Sequence, residues 1–311
     1  MTAQIWIDET RDMLLSGYVE DLDILTGIVA ETTVPSEIVV QGYASSITKG
    51  VVIEINAELM YVVQVVSTTV SVLRGYAGSV PAAHAANDIV RVSPKFPTHR
   101  IISSLNDDLA DISSPANGMF QMRTTTFVYN GGVAGYNLDT SGFVVDSIYE
   151  VTHAAVGALA NEPEIISWRL KRDRDTAASA FPSGNALILY DGAIPGRTVR
   201  VLYKSPLTPI ANSTTPLADV GLATTAYDLP PLGAAMALMT TRPIRREFLD
   251  AQGSSRRAEE VPPGAISASF RDLMGRRRAR LEAESSRLVA QYPQQWNRHA
   301  AVRSSQWGYV Q

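Results

Sequence analysis

Residues 58–92, ELMYVVQVVSTTVSVLRGYAGSVPAAHAANDIVRV, read as strand, turn, strand, small-residue loop and strand, and the N-terminal third of the chain is organised around them. The first run is apolar and rich in β-branched side chains. Strict alternation would send Met60, Val62, Gln64 and Val66 to one face and Leu59, Tyr61, Val63 and Val65 to the other. Ser67, Thr68 and Thr69 are short enough to join antiparallel strands, although the Asn-Gly signal of a tight hairpin is missing. Gly75 and Gly78 break the pattern, small residues surround His84, and Asn87-Asp88 marks a turn before Ile89, Val90 and Val92. Working outward, residues 38–40 and 51–55 are further strand candidates and residues 8–15 a short helix. Four or five short strands with tight connections predict a small barrel or sandwich.

The order Glu58, Met60, Val62, Thr69-Val70, Arg74-Gly75, Gly78, Ala83-His84-Ala85, Asp88, Val90 resembles a β-module of tailed-bacteriophage structural proteins. With the helix after it and the C-terminal arm, the chain resembles the head-to-tail connector, or adaptor, proteins of siphophage necks. The likeness is one of pattern and carries no catalytic signature. It implies a non-enzymatic virion protein, assembled in the host bacterial cytoplasm. In that role identical subunits, twelve in number, form a ring between the portal protein and a tail-side neck or tail-terminator protein. Genomic DNA would pass through the channel without sequence-specific contact. A tail or baseplate component would share the module, and a glycan-binding β-protein would need an aromatic-lined cleft with carboxylates.

The expected architecture is α+β. A β-barrel-like module covers residues 1–97 and a packing helix 98–114, where Ile101, Ile102, Leu105, Leu109 and Ile112 keep helical spacing while Asp107, Asp108 and Asp111 lie off the stripe. Thr98 is placed to cap it. Residues 115–204 carry strand candidates at 121–128, 143–151, 165–170, 186–190 and 198–203, divided by Gly- and Pro-containing turns, which predicts a β-sandwich-like domain. Residues 205–263 read as a linker or extended crossing with short helices, one over 229–241 that Arg242 and its successors could continue, and a polar hinge at 253–263. Residues 264–311 read as a long C-terminal helical arm and an extended aromatic tail.

Arm and tail hold the candidate partner-binding residues: Phe270, Arg276, Arg277, Arg278, Arg280 and Leu281 on the helix, then Trp296, Trp307 and Tyr309. The helix has a narrow apolar seam (Ile266, Phe270, Leu273, Leu281, Leu288, Tyr292) interrupted by Arg277, with a cluster of arginines at its middle. An arm packed on a partner explains this pattern, and so does a surface helix of the same domain. Aromatic groups in a polar stretch commonly anchor interfaces; the alternative is that they fold back on their own domain.

Composition narrows the classes. At 45% hydrophobic and 19% charged residues, the 311-residue chain has globular values. Without cysteine it has no disulfide framework, thiolate nucleophile or zinc-thiolate site. The four histidines are scattered and no HExxH, GxxxxGK[ST], GxGxxG or GxSxG pattern occurs, so neither a metal nor a cofactor is expected. The isolated S-x-x-K at Ser46 lacks its companion motifs. Asn137-x-Asp139-x-Ser141-Gly142 begins like a calcium loop, but Ile148 stands where the bidentate Glu is needed, so a turn is the better reading.

No apolar run approaches the roughly 20 residues of a membrane span, and the first residues lack the basic start of a signal peptide, so a soluble, unsecreted protein is expected. Residues 1–93 carry 11 acidic and 4 basic residues (net −7) and residues 242–311 carry 7 and 13 (net +6). Opposite ends of this kind steer docking between copies and neighbours; solvated faces of different sign are the plain alternative. Arginines 276, 277, 278 and 280 invite phosphate contacts, yet an acidic chain without a nucleic-acid motif fits an acidic protein surface better.

Overall fold

The computed structural model describes residues 1–15, 20–30, 36–133, 135–140, 142–155, 157, 161–177, 180–190, 193–241 and 265–293. The protein is mixed α+β, with antiparallel sheets and a C-terminal helix. The described residues divide into two compact units, drawn from 1–112 with 208–241 and 265–283, and from 113–207 with 284–293.

In the first unit, α1 (Gln4–Leu15) precedes six strands: β1 (Asp21–Ile24), β2 (Ser36–Val39), β3 (Val52–Ile55), β4 (Glu58–Val66), β5 (Thr69–Leu73) and β6 (Ile89–Val92). They form one sheet in the order β1-β6-β3-β4-β5-β2. The sheet is open, in contrast to the expected barrel: its edge strands meet only through an isolated Leu25–Val40 bridge, beyond the last paired residue of each. Ile38, Ile53, Ile55, Met60, Val62, Val70, Val72 and Val90 fill one buried face.

The alternation expected of β4 holds only to Val62. A bulge between Val62 and Gln64 resets the register, so Gln64 and Val66 are exposed and Val65 packs on the core. One extra residue flips every side chain beyond it. The β4–β5 turn is the two residues Ser67 and Thr68, and Ser67 takes the positive φ that an Asn-Gly turn would otherwise supply.

Helices α2 (Thr98–Ile112) and α4 (Leu229–Thr241) pack with α1. Along α2, Ile101, Leu105, Leu109 and Ile112 are buried, and so is Asp108, contrary to its expected place off the stripe. Helix α4 is apolar on every side, the mark of a buried helix, and its Pro230 and Pro231 fall in the first turn, where a missing N–H costs nothing. Residues 208–227 are no solvated linker: Ile210, Leu217, Val220 and Ala226 are buried, and the Asn106 amide bonds both the C=O (2.9 Å) and the N–H (2.7 Å) of Ile210. They include the one-turn α3 (Leu217–Val220).

The second unit holds two three-stranded sheets. One joins β7 (Gln121–Val128), β12 (Thr198–Ser205) and β9 (Ser147–His153); the other joins β8 (Gly135–Asn137), β11 (Ala186–Leu189) and β10 (Trp168–Lys171). Val151, Val199 and Val201 of the first sheet share a core with Tyr136, Leu187 and Leu189 of the second, and the Phe127 and Tyr136 rings stack at 4.5 Å. Helix α5 (Ala265–Gln291) belongs to the first unit through Ala283 and to the second from Glu284. Its 27 residues span about 40 Å.

Gly233 on α4 lets α2 approach: a Cβ there would lie 1.7 Å from Asp108 Oδ1 and 2.1 Å from its Cγ. Gly233→Ala is expected to lower stability by about 1–3 kcal/mol, as overpacking does. Gly275→Ala on α5, where nothing lies within 4 Å, is expected to be neutral or slightly stabilising. Urea unfolding midpoints of the two variants check this.

Candidate functional site

Two groups of residues were candidates for function: those of the arm, and those of the 58–92 module. On α5, Leu281 is buried in the first unit. Arg277 points inward and binds Asp108 and Asp111 of α2, each at 2.6 Å. Arg280 holds Asp228 at 2.8 Å and donates to the Thr225 carbonyl. Phe270 is half-buried beside Met236 and Gly233 in a shallow groove. These four side chains are engaged within the chain. Arg276 and Arg278 are exposed, each in a one-turn pair, with Asp272 and Glu282 respectively.

In the second unit Leu288 and Glu284 of α5 are buried, and Tyr292 just beyond the helix packs edge-on against Phe120 and Tyr149. Trp296, Trp307 and Tyr309 lie outside the described residues, as do the helix continuation past residue 241 and the polar hinge.

Sequence reasoning singled out the residues of the module as a pattern but not as a contact. The structure brings Glu58, Arg74 and His84 together with their side chains fully buried. The Glu58 carboxylate accepts from Arg74 Nε at 2.6 Å and Nη2 at 2.7 Å, and from the Gly75 and Ala82 N–H groups at 3.1 and 2.9 Å. His84 Nε2 lies 2.9 Å away. A carboxylate only accepts, so Nε2 carries the proton and Nδ1 accepts from the Asn56 amide at 3.3 Å. The other Arg74 donors reach the carbonyls of Ala30 at 3.0 Å and Ala82 at 2.5 Å.

Gly75 is required there. Its φ is +62°, and a Cβ would sit 3.1 Å from Pro81. Burial alone would raise the Glu58 pKa, but the Arg74, His84, Ala82 and Gly75 bonds outweigh it and hold it down at about 2. With no solvent access, this set has no route to a substrate and acts as an internal clamp on the β5–β6 connection.

Two further buried carboxylates had no sequence signal beyond an acid at an inward position. Glu54 of β3 accepts the Thr98 N–H at the start of α2, while the Thr98 hydroxyl accepts from Arg11. The cap of α2 is thus Glu54, and Thr98 is the first helical residue. Burial, against the pull of Thr98 and Arg11, pushes Glu54 up to about 7. Burial likewise pushes Asp108 up to about 7 against the attraction of Arg277.

Among the described residues no group of three His, Asp or Glu side chains gathers to hold a metal ion, and no helix is long and apolar enough to cross a membrane.

No family model matches the chain, and no curated protein matches it.

Removing the Glu58 charge with Glu58→Gln leaves Arg74 buried and unneutralised, and is expected to cost about 3–5 kcal/mol in urea unfolding.

The pH profile carries both signs. Glu58, lowered on folding, adds stability that is present above the ordinary carboxylate range and lost as pH falls toward about 2. Glu54 and Asp108, raised on folding, take up protons and withdraw stability as pH rises from that range through about 7. The urea midpoint is therefore expected to peak near pH 5 and to fall at pH 3 and at pH 7.5. Glu54→Gln should reduce the neutral limb to the part that Asp108 contributes and leave the acid limb unchanged.

Proposed function

We propose that this chain is a structural, non-enzymatic protein of a tailed-bacteriophage virion, placed at the head–tail junction. Identical subunits, twelve in the ring, join the portal protein to the tail-side neck proteins and let DNA pass without sequence-specific binding. The observation that carries this reading is the Glu58 clamp: Glu58, Arg74, Gly75 and His84, four residues of the connector-like pattern, converge at one buried carboxylate. The pattern therefore encodes a rigid β-module built for assembly, and its polar residues need no catalytic explanation. Lateral contacts would be heterologous, each subunit presenting two different faces, and would end when the ring closes.

In this reading the grip on portal or neighbour falls to the tail with Trp296, Trp307 and Tyr309 and to the outer face of α5, where Arg276 and Arg278 are exposed. The loops of the β-sandwich-like second unit face the next ring.

Deleting residues 294–311 is expected to leave a chain with unchanged circular dichroism that no longer joins the portal, while the full chain forms a closed ring on it, as read by native mass spectrometry. Joining by the truncated chain, or indifference of the full chain to portal, would overturn the assignment. Indifference would move the protein to the tail or baseplate.

A further inference from the structure

The second unit contains an open cleft of about 860 Å³, formed where residues 137–146, between β8 and β9, face residues 172–185, between β10 and β11. Its size falls in the range of small-molecule sites, roughly 300–1,000 Å³. The proposed assembly role turns these loops toward the next ring but does not call for a cleft of this size.

Its chemistry is specific. Asn137 is fixed by accepting both the N–H and the hydroxyl of Ser183 on its Oδ1, at 3.0 and 2.7 Å, which leaves the amide NH₂ as a donor. Arg172 donates to the Val145 carbonyl at 3.1 Å and to that of Asp146. The exposed carboxylates of Asp146 and Asp173 also line the cleft. Between these polar groups lies apolar surface. Phe143 is half-buried, its ring held by the Arg123 guanidinium 3.4 Å from the centroid, and Val144 is 62% exposed.

Exposed carboxylates, an amide donor and apolar surface lining one cleft match a ring with hydroxyls on its rim and C–H groups on its face. The four charged lining residues, Asp139, Asp146, Asp173 and Arg172, sum to −2, which disfavours phosphorylated, sulfated or uronic ligands.

We propose that this cleft binds a neutral saccharide ring, as a free sugar or within a glycan. The proposal does not rest on the virion reading. It is tested on the full chain by saturation-transfer NMR and calorimetry with glucose, galactose, N-acetylglucosamine, maltotriose, chitotriose and glucuronic acid. At least one neutral probe should bind saturably, and glucuronic acid at least about tenfold more weakly.

Loss of a hydrogen bond to a charged group predicts that Asp146→Ala and Asp173→Ala each weaken binding by about tenfold or more. Asp219→Ala, on α3 in the other unit, should leave it unchanged. Tighter binding of a trisaccharide than of its monosaccharide assigns an extended glycan, and equal affinity assigns a single ring. Flat titrations across the panel, or Asp146 and Asp173 variants that bind like the unaltered chain, would overturn the proposal.

Discussion

The β-module depends on one buried carboxylate being fully compensated. An uncompensated carboxylate in a dry core costs several kcal/mol. Glu58 instead accepts five hydrogen bonds, from donors spread between residues 74 and 84. That stretch has only a single 3-10 turn of its own, so the carboxylate replaces the ladder the loop lacks. Arg74 extends the effect to Ala30, and the paired Val29 and His84 backbones tie in the β1–β2 connection. The loop leads into β6, which pairs with both β1 and β3, so the register of half the sheet follows from how this loop is held.

Three acids of this unit show how environment decides sign. Glu58 has a donor for every side of its carboxylate and stays ionised to about pH 2. Glu54 and Asp108 are as deeply buried, but Glu54 Oε2 and Asp108 Oδ2 accept no hydrogen bond among the described residues. Desolvation then wins, and both rise to about 7. The module is clamped by a charge indifferent to pH over the neutral range. The seams between sheet and helices, and between α2 and α5, are held by charges that titrate there.

Much of the fold was legible where one period dominates. Helix α2 and strand β7 run as their spacing predicts, and the apolar 229–241 segment is the buried helix it reads as. What was not legible has local physical causes. The bulge after Val62 leaves no compositional mark, since Val63, Val65 and Val66 suit either face. Strand β1, with sequence DLDI, has no apolar run because Asp23 is turned inward to accept the backbone N–H groups of Gly42 and Ala44. The pattern residues of the module were legible as a set. Their convergence on Glu58 was not, because it joins positions up to 26 residues apart through a loop without periodicity.

The arm shows the same limit with more at stake for function. A stripe interrupted by Arg277 reads as a surface seeking an acidic partner, and sequence cannot say whether that partner is another chain or this one. Here the partner is Asp108, 169 residues away, seated against a glycine that leaves room for it. The apolar positions close in cis as well, with Leu281 in the first unit and Leu288 and Tyr292 in the second. What α5 still offers in the first unit is its exposed surface, with Met274 48% exposed and Arg276 and Arg278 in solvent. Their one-turn ion pairs are solvent-exposed and contribute at most about 0.5 kcal/mol each. A partner carboxylate can replace Asp272 or Glu282 at little cost, whereas replacing Asp108 would require opening the α2–α4 seam. The arginines bonded to α2 and to Asp228 thus hold the arm in place within the first unit, and the exposed ones remain exchangeable.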